Sequence, residues 1–159
     1  MIFFRDPKRE IGPDIVSPAD GVIMDISKQE IYIRISIFMS IYHVHVNRMP
    51  IAGKILKMER IKGKYLPAFL SGSNKNAKLR MVIETDIGIT ILEQIAGIFA
   101  WRIVPYIQEG KVLEKGDKIG IIRFGSRVNL YLPIDKVEVC IKSRQHVKAG
   151  TSTLAKIIK

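Results

Sequence analysis

A long alternation of apolar and polar side chains at residues 31–46 constrains the fold more than any other feature. Isoleucine occupies every second position from Ile31 to Ile37, and Met39 and Ile41 continue the same phase. Because successive side chains of a β-strand point to opposite faces, this period of two predicts a strand with one buried face. Further strand-like stretches occur at 21–24, 52–56, 79–84, 89–94, 119–123, 128–132, 137–141 and 154–158. The sequence therefore predicts a mostly β domain, barrel-like or sandwich-like.

Turn signals and one helical spacing complete the expected architecture. Asp86–Gly88 and Lys115–Lys118 are predicted to be turns, the second of them within a hairpin. Apolar residues at helical spacing predict a short helix over 95–104, which Pro105 would end. No change in composition marks a domain boundary and no fixed-period repeat occurs. We therefore expect residues 1–159 to form a single domain with one or two short helices.

The chain is strongly basic, with 26 Lys and Arg against 15 Asp and Glu and a formal net charge of +11. A basic protein favours an anionic partner, either an acidic membrane surface or a nucleic acid. The basic residues are scattered, and the sequence has no recognition-helix pattern, Arg-rich tract or aromatic RNA-binding motif. We therefore favour anionic lipid over nucleic acid as the partner.

Cysteine usage and hydropathy exclude several classes of protein. The single cysteine, Cys140, excludes an internal disulfide framework and a cysteine-based zinc site. Its place in the alternating stretch 137–141 predicts a packed thiol. No run of about 18 apolar residues occurs, and no signal peptide is apparent before Arg5. We expect a cytoplasmic protein.

The dipeptide Gly125–Ser126 offers unusual chemistry. Glycine leaves its carbonyl carbon sterically open, and the following serine hydroxyl can attack that carbon when a base removes its proton. A serine in a turn after glycine is the ordinary explanation in a β protein. The dipeptide by itself leaves both interpretations open.

A histidine and an aspartate are candidates to assist such an attack. His45 can accept the serine proton near neutral pH, because an imidazole has a pKa of about 6.5. Asp20 could hold that imidazole in the right tautomer, as the third member of a hydrolase triad does, but an aspartate before glycine is also an ordinary turn residue. His43 would lie on the same strand face as His45, about 7 Å away. A histidine pair that binds metal needs a third ligand such as His146, and we expect no metal.

Five short segments together resemble the phosphatidylserine decarboxylase proenzymes, and among them the short archaeal form assigned to archaetidylserine. These segments are Phe4–Pro7, Ser17–Gly21, His45–Pro50, Gln94–Gly97 and Phe124–Ser126. The resemblance implies a pyruvoyl-dependent carboxy-lyase that converts archaetidylserine or phosphatidylserine to the ethanolamine phospholipid and CO₂. It also implies autocatalytic cleavage at Gly125–Ser126 into a large chain, 1–125, and a small chain, 126–159.

The resemblance further implies roles for single residues. Ser126 becomes the pyruvoyl group that forms a Schiff base with the substrate, His45 acts as base and acid, and Asp20 orients His45. Arg48 and Arg102 are candidate phosphate contacts, although a tryptophan stands before Arg102 where relatives usually carry a second arginine. No metal is implied. The two chains are expected to stay associated, as a peripheral protein at the cytoplasmic face of the cell membrane.

Two other interpretations remain open from the sequence. A non-enzymatic basic β module could bind anionic lipid or nucleic acid, and a family member could be a pseudoenzyme that never matures. A biotinyl-carrier-like module is disfavoured, because no lysine lies at a Met-Lys-Met-like hairpin tip and such a domain needs only about half this length.

Overall fold

The computed structural model describes residues 9–39, 46–64, 75–95, 103–105, 107–122 and 126–158. Within these ranges the regular elements are β-strands, numbered here in chain order. They are β1 (Ile15–Val16), β2 (Gly21–Gln29), β3 (Tyr32–Met39), β4 (Val46–Arg48), β5 (Gly53–Ile61), β6 (Lys78–Thr85), β7 (Gly88–Ile95), β8 (Ile103–Pro105), β9 (Val112–Leu113), β10 (Lys118–Ile122), β11 (Ser126–Pro133), β12 (Val137–Val139), β13 (His146–Val147) and β14 (Thr153–Ile157). The mostly β fold predicted from the alternation is confirmed.

Eight strands form one antiparallel sheet in the order β13-β2-β3-β11-β7-β6-β5-β9. The long alternation is confirmed over β3, since Ile35, Ile37 and Met39 are fully buried on one face. Ile31, however, lies in the turn before β3 and is exposed, and Val46 belongs to β4 in another sheet. Strand β11 lies inside the sheet and pairs with β3 along its whole length and with β7 on its other side. Over the described ranges the outer strands β13 and β9 do not pair with each other, so this sheet is open and not a closed barrel.

Two three-stranded sheets complete the fold, β1-β14-β12 and β4-β10-β8. One apolar cluster takes buried side chains from all three sheets. It includes Ile15 and Leu154 from the first small sheet, Ile119 from the second, and Ile37 and Val128 from the large sheet. Burial of each such side chain contributes about 1.5–3 kcal/mol. The three sheets therefore share a single core in a sandwich-like domain.

One of the two predicted turns is confirmed as the connection between β6 and β7. Gly88 there has a φ of 108°, and the Thr85 hydroxyl donates to the Gly88 carbonyl oxygen at 2.7 Å. The turn at Lys115–Lys118 is also present, but the prediction of a hairpin is wrong. Strand β9, before this turn, pairs with β5, whereas β10, after it, pairs with β4 and β8. A turn signal predicts a reversal of the chain but does not identify the neighbouring strand.

Two further expectations are corrected. Ile95 ends β7 and Ile103 begins β8, so the ends of the predicted helix are strands, and residues 96–102 lie outside the described ranges. Cys140 is exposed, because it shares the outward phase of Glu138, and its thiol donates to the Thr153 carbonyl oxygen at 3.5 Å. In the ranges that the structure describes, no helix has the length and hydropathy to cross a membrane.

Candidate active site

Backbone hydrogen bonds join the region of the motif segment Ser17–Gly21, which contains Asp20, to the motif segment Asn47–Pro50. The Arg48 N–H donates to the Pro18 carbonyl oxygen at 2.9 Å, and the Val16 N–H donates to the Pro50 carbonyl oxygen at 3.0 Å. The two segments are distant in the sequence, but they are neighbours in the fold.

Ser126 opens β11 and is fully buried. Its hydroxyl donates to Met39 Sδ at 3.7 Å, directly across the β3–β11 register. A thioether is a weak acceptor, so this contact leaves the serine proton available to a stronger base. Gly125, the other half of the predicted cleavage site, lies outside the described ranges.

The same thioether receives a second donor from the neighbouring small sheet. Asn47 Nδ2 donates to Met39 Sδ at 3.6 Å, and Gln94 Nε2 donates to Asn47 Oδ1 at 2.7 Å. Both amides are fully buried, and Gln94 Oε1 has no hydrogen-bond partner within the described part of the chain. An unsatisfied buried acceptor costs about 1–3 kcal/mol. This site therefore presents a free acceptor close to the buried serine.

Asp20 lies at the same end of the large sheet as Ser126. Val22 in β2 and Arg127 in β11 both pair with Phe38 in β3. Asp20 precedes Val22 by two residues, and Ser126 immediately precedes Arg127. Strand β3 lies between β2 and β11. Because neighbouring strands are about 4.8 Å apart, the backbones at Asp20 and Ser126 are separated by about 10 Å.

The Asp20 carboxylate is fixed by three hydrogen bonds. Arg9 donates Nη1–H to Oδ1 at 2.8 Å and Nη2–H to Oδ2 at 2.6 Å, and the Ala149 N–H donates to Oδ1 at 2.7 Å. A carboxylate has about four lone-pair positions, so these donors leave one position on Oδ2. His45, the predicted partner of Asp20, lies outside the described residues.

Arg48, a predicted phosphate contact, is engaged with the protein backbone. Its Nη1 donates to the Gly116 carbonyl oxygen at 3.0 Å. This hydrogen bond joins β4 to the turn between β9 and β10. Gly116 in that turn has a φ of 89°, in the left-handed region that favours glycine. Arg102, the other predicted phosphate contact, lies outside the described ranges.

The opposite face of β11 carries a buried polar network that the sequence analysis did not predict. Arg127 is 2% exposed and Glu93 is 1% exposed. The hydrogen bonds are Arg127 Nε to Asn129 Oδ1 at 3.0 Å, Arg127 Nη2 to Ser36 Oγ at 3.0 Å, Ser36 Oγ to Asn129 Oδ1 at 2.7 Å, Asn129 Nδ2 to Glu93 Oε1 at 3.3 Å and Tyr131 Oη to Glu93 Oε1 at 3.1 Å. In a strand, polar residues at alternate positions usually indicate a solvent-facing side. The alternation of Arg127, Asn129 and Tyr131 in β11 therefore gave no indication that this face is buried.

Glu93 extends the network to β6. Arg80 donates both Nε–H, at 2.9 Å, and Nη2–H, at 2.7 Å, to Glu93 Oε2. Burial by itself raises the pKa of the Glu93 carboxyl, but the hydrogen bonds from Arg80 and Asn129 and the charge of Lys78 together hold that pKa below its ordinary value of 4.5. Glu93 is therefore ionised at neutral pH.

Replacement of Glu93 by glutamine should lower the free energy of unfolding at neutral pH by about 2–3 kcal/mol. Breaking a fully buried pair costs about 3–5 kcal/mol, but the Arg80 side chain is 37% exposed and keeps part of its hydration. Because the folded pKa of Glu93 lies below 4.5, its stabilisation is present above that pH and is lost as the pH falls through the folded pKa.

Urea unfolding at neutral pH and at successively lower pH measures this effect, because the stabilisation by Glu93 is lost as the pH falls through its folded pKa. The wild type should lose more stability on acidification than Glu93→Gln. Stability curves that stay parallel over the whole range would contradict the pKa assigned to this carboxyl.

Comparisons with known proteins agree with the resemblance in the sequence. The phosphatidylserine decarboxylase family matches residues 1–155. A phosphatidylserine decarboxylase proenzyme of Streptomyces griseus is 44% identical over 154 residues, which cover 96% of this chain and 71% of the relative. A protein of Methanosarcina mazei named as an archaetidylserine decarboxylase proenzyme is 42% identical over 160 residues, which cover 99% of this chain and 74% of the relative. A protein of Archaeoglobus fulgidus with the same name is 49% identical over 131 residues, which cover 82% of this chain and 65% of the relative. The chain belongs to the phosphatidylserine decarboxylase family.

Proposed function

We propose that this chain is a proenzyme that cleaves itself between Gly125 and Ser126 and then decarboxylates a serine phospholipid. The substrate is archaetidylserine or phosphatidylserine, the lipids in the names of its relatives, and the products are the ethanolamine phospholipid and CO₂. The observation that carries this proposal is the meeting of the motif segments at one buried serine. Met39 and Asn47 link Ser126 to β4, and β4 is hydrogen-bonded to the segment that carries Asp20.

Ser126 supplies both the nucleophile and the new chain end. Its Oγ attacks the Gly125 carbonyl carbon, the peptide C–N bond breaks, and an ester forms while the serine nitrogen gains a proton. Loss of the Cα proton then expels the Gly125 carboxylate from Cβ and leaves a dehydroalanine at position 126. Water replaces the nitrogen of that residue, ammonia leaves, and a pyruvoyl group remains.

His45 is proposed as the base that takes the Ser126 proton. It belongs to the same motif segment as Asn47. Asn47 contacts the same Met39 sulfur as the serine hydroxyl, and this contact between the motif segment and Ser126 supports the proposal. The lone-pair position left on Asp20 Oδ2 fits an imidazole N–H, which would fix the tautomer that accepts the proton.

The pyruvoyl group derived from Ser126 supplies a carbonyl that takes up the electron pair left when CO₂ departs. Position 126 is fully buried, so the protein shields this group from bulk water. Gln94 offers its free acceptor to an N–H of the substrate's serine head group, and His45 returns a proton to the substrate carbon. Arg48 and Arg102 are proposed to contact the lipid phosphate. No metal is proposed.

The large and small chains are proposed to remain together after cleavage. The small chain would supply β11 and β13 to the large sheet, in which the other six strands belong to residues 1–125. Strands β12 and β14 of the small chain would keep their sheet with β1. Separation of the chains would break the ladders on both sides of β11, so hydrogen bonds and the shared core hold them.

The proposed partner is an acidic membrane surface, and we place the protein peripherally at the cytoplasmic face. With a net charge of +11, it should bind vesicles that contain acidic serine lipid at low salt. Binding should weaken as salt rises, because exposed charges are screened over about 10 Å at 0.1 M. Vesicle flotation, with neutral vesicles as the control, measures this. Salt-insensitive binding that is equal on both kinds of vesicle would contradict an electrostatic attachment.

Intact-mass spectrometry of freshly purified protein tests the proposed function. It should find two masses, those of residues 1–125 and of residues 126–159 with a pyruvoyl group. The smaller chain should resist Edman degradation, since a pyruvoyl end has no amine. When the cleaved protein is added to vesicles that contain serine phospholipid, CO₂ should be released. A single uncleaved chain that binds the vesicles without releasing CO₂ would instead favour a non-catalytic lipid-binding protein.

A further inference from the structure

Arg127 follows Ser126 in the chain but points to the opposite face of the large sheet. Its side chain is 2% exposed, and its guanidinium donates from Nε to Asn129 and from Nη2 to Ser36, each at 3.0 Å. One acceptor lies in β11 itself and the other in β3. The planar fork of arginine can bridge two such acceptors, whereas the single ammonium of lysine cannot reproduce that geometry.

The two acceptors are themselves fixed. Ser36 donates to Asn129 at 2.7 Å, and Asn129 donates to Glu93 at 3.3 Å. Glu93 in turn is paired with Arg80 at 2.7 Å. The guanidinium of Arg127 is therefore connected to a network that spans β3, β11, β7 and β6.

We propose that Arg127 is a positioning residue that keeps the start of β11 in register after the chain has been cut. This inference rests on the proposed cleavage at Gly125–Ser126. A strand that loses its covalent connection at one end tends to fray from that end. For position 126 to leave the sheet, the neighbouring guanidinium would have to give up acceptors inside a buried network, which is costly for a charged group. The pyruvoyl end is thereby held against Met39.

Hydrogen exchange of the segment 126–133, read by mass spectrometry, tests this role. In the cleaved protein, Arg127→Met should raise the exchange rate of the first amides of β11 by about tenfold relative to wild type. The same substitution in uncleaved Ser126→Ala protein should have a much smaller effect, because the peptide bond before position 126 still holds the strand. Intact mass confirms that the Arg127 variant has been cleaved.

A matched control and a milder variant separate positioning from folding. Arg144→Met removes an exposed arginine of the proposed small chain, in the turn before β13, and should leave the start of β11 unchanged. Ser36→Ala removes one acceptor of Arg127 but keeps the guanidinium charge, so it should raise the exchange rate of the same amides by a smaller factor. This variant provides the test if Arg127→Met does not fold.

Equal loosening of cleaved and uncleaved protein would overturn the proposal and assign Arg127 a general role in the fold. Unchanged exchange in cleaved Arg127→Met would overturn it as well. Both results differ from a failure of the proposed function, in which the wild-type chain stays uncleaved.

Discussion

Replacing Ser126 with alanine should abolish cleavage and decarboxylation together while the fold is retained. The hydroxyl donates to a thioether at 3.7 Å, a weak acceptor, so its loss should cost less than about 1 kcal/mol. For a domain of this size that cost corresponds to less than about 4 °C in melting temperature. Intact mass should show one chain of 159 residues, and vesicle assays should show no CO₂ above background.

Ser27→Ala is a control for the effect of removing a serine. The Ser27 hydroxyl lies on β2 and accepts a hydrogen bond from Gln29, away from the start of β11, so this variant should be cleaved as the wild type is. If Ser126→Ala still yields two chains, the cleavage occurs at another bond and the proposed origin of the pyruvoyl group is wrong.

Replacing His45 with alanine should slow cleavage by about 10²–10⁴-fold, the usual contribution of a general base. His43→Ala is the matched control, since it removes a histidine two positions away, and it should slow cleavage little or leave it unchanged. The rate is measured by following the disappearance of the 159-residue precursor mass after synthesis in a cell-free system.

A different result would identify a different chemistry. Equal loss of cleavage in both histidine variants, with recovery on addition of zinc, would indicate a metal site formed by His43 and His45. Cleavage at the wild-type rate in His45→Ala would remove that residue from the mechanism and leave Asp20 without its proposed partner.

The strands of the fold were largely predictable because local alternation determines them. The apolar phase of β3, and that of Val128, Leu130 and Leu132 in β11, matches the buried face in the structure. Strand partners were less accessible, because they depend on non-local pairing. The turn at Lys115–Lys118 shows this limit: its residues predict a reversal, but the strands on its two sides join different sheets.

The candidate site was predictable in its motifs but not in its contacts. Ser126 and Asp20 were identified from the sequence, and the fold brings them to the same end of one sheet. The bidentate contact of Arg9 with Asp20 could not be predicted, since no pattern connects those two positions. Asn47 and Gln94 had a detectable signal, as each lies inside a motif segment, but an amide has too many ordinary roles for spacing alone to assign one.

The central position of β11 also determines when the protein can fold. While the chain is intact, β11 finds its place between β3 and β7 by closing a loop within one molecule, and that entropy cost grows only slowly with loop length. After the proposed cut, the same step becomes an association of two molecules, with a loss of translational freedom and a dependence on concentration. Refolding of the denatured precursor should therefore be first order, whereas refolding of the denatured cleaved protein should be second order and should fail on dilution. The precursor would therefore be the form in which this protein folds efficiently, and a mature molecule that unfolds at low concentration would not regain its structure.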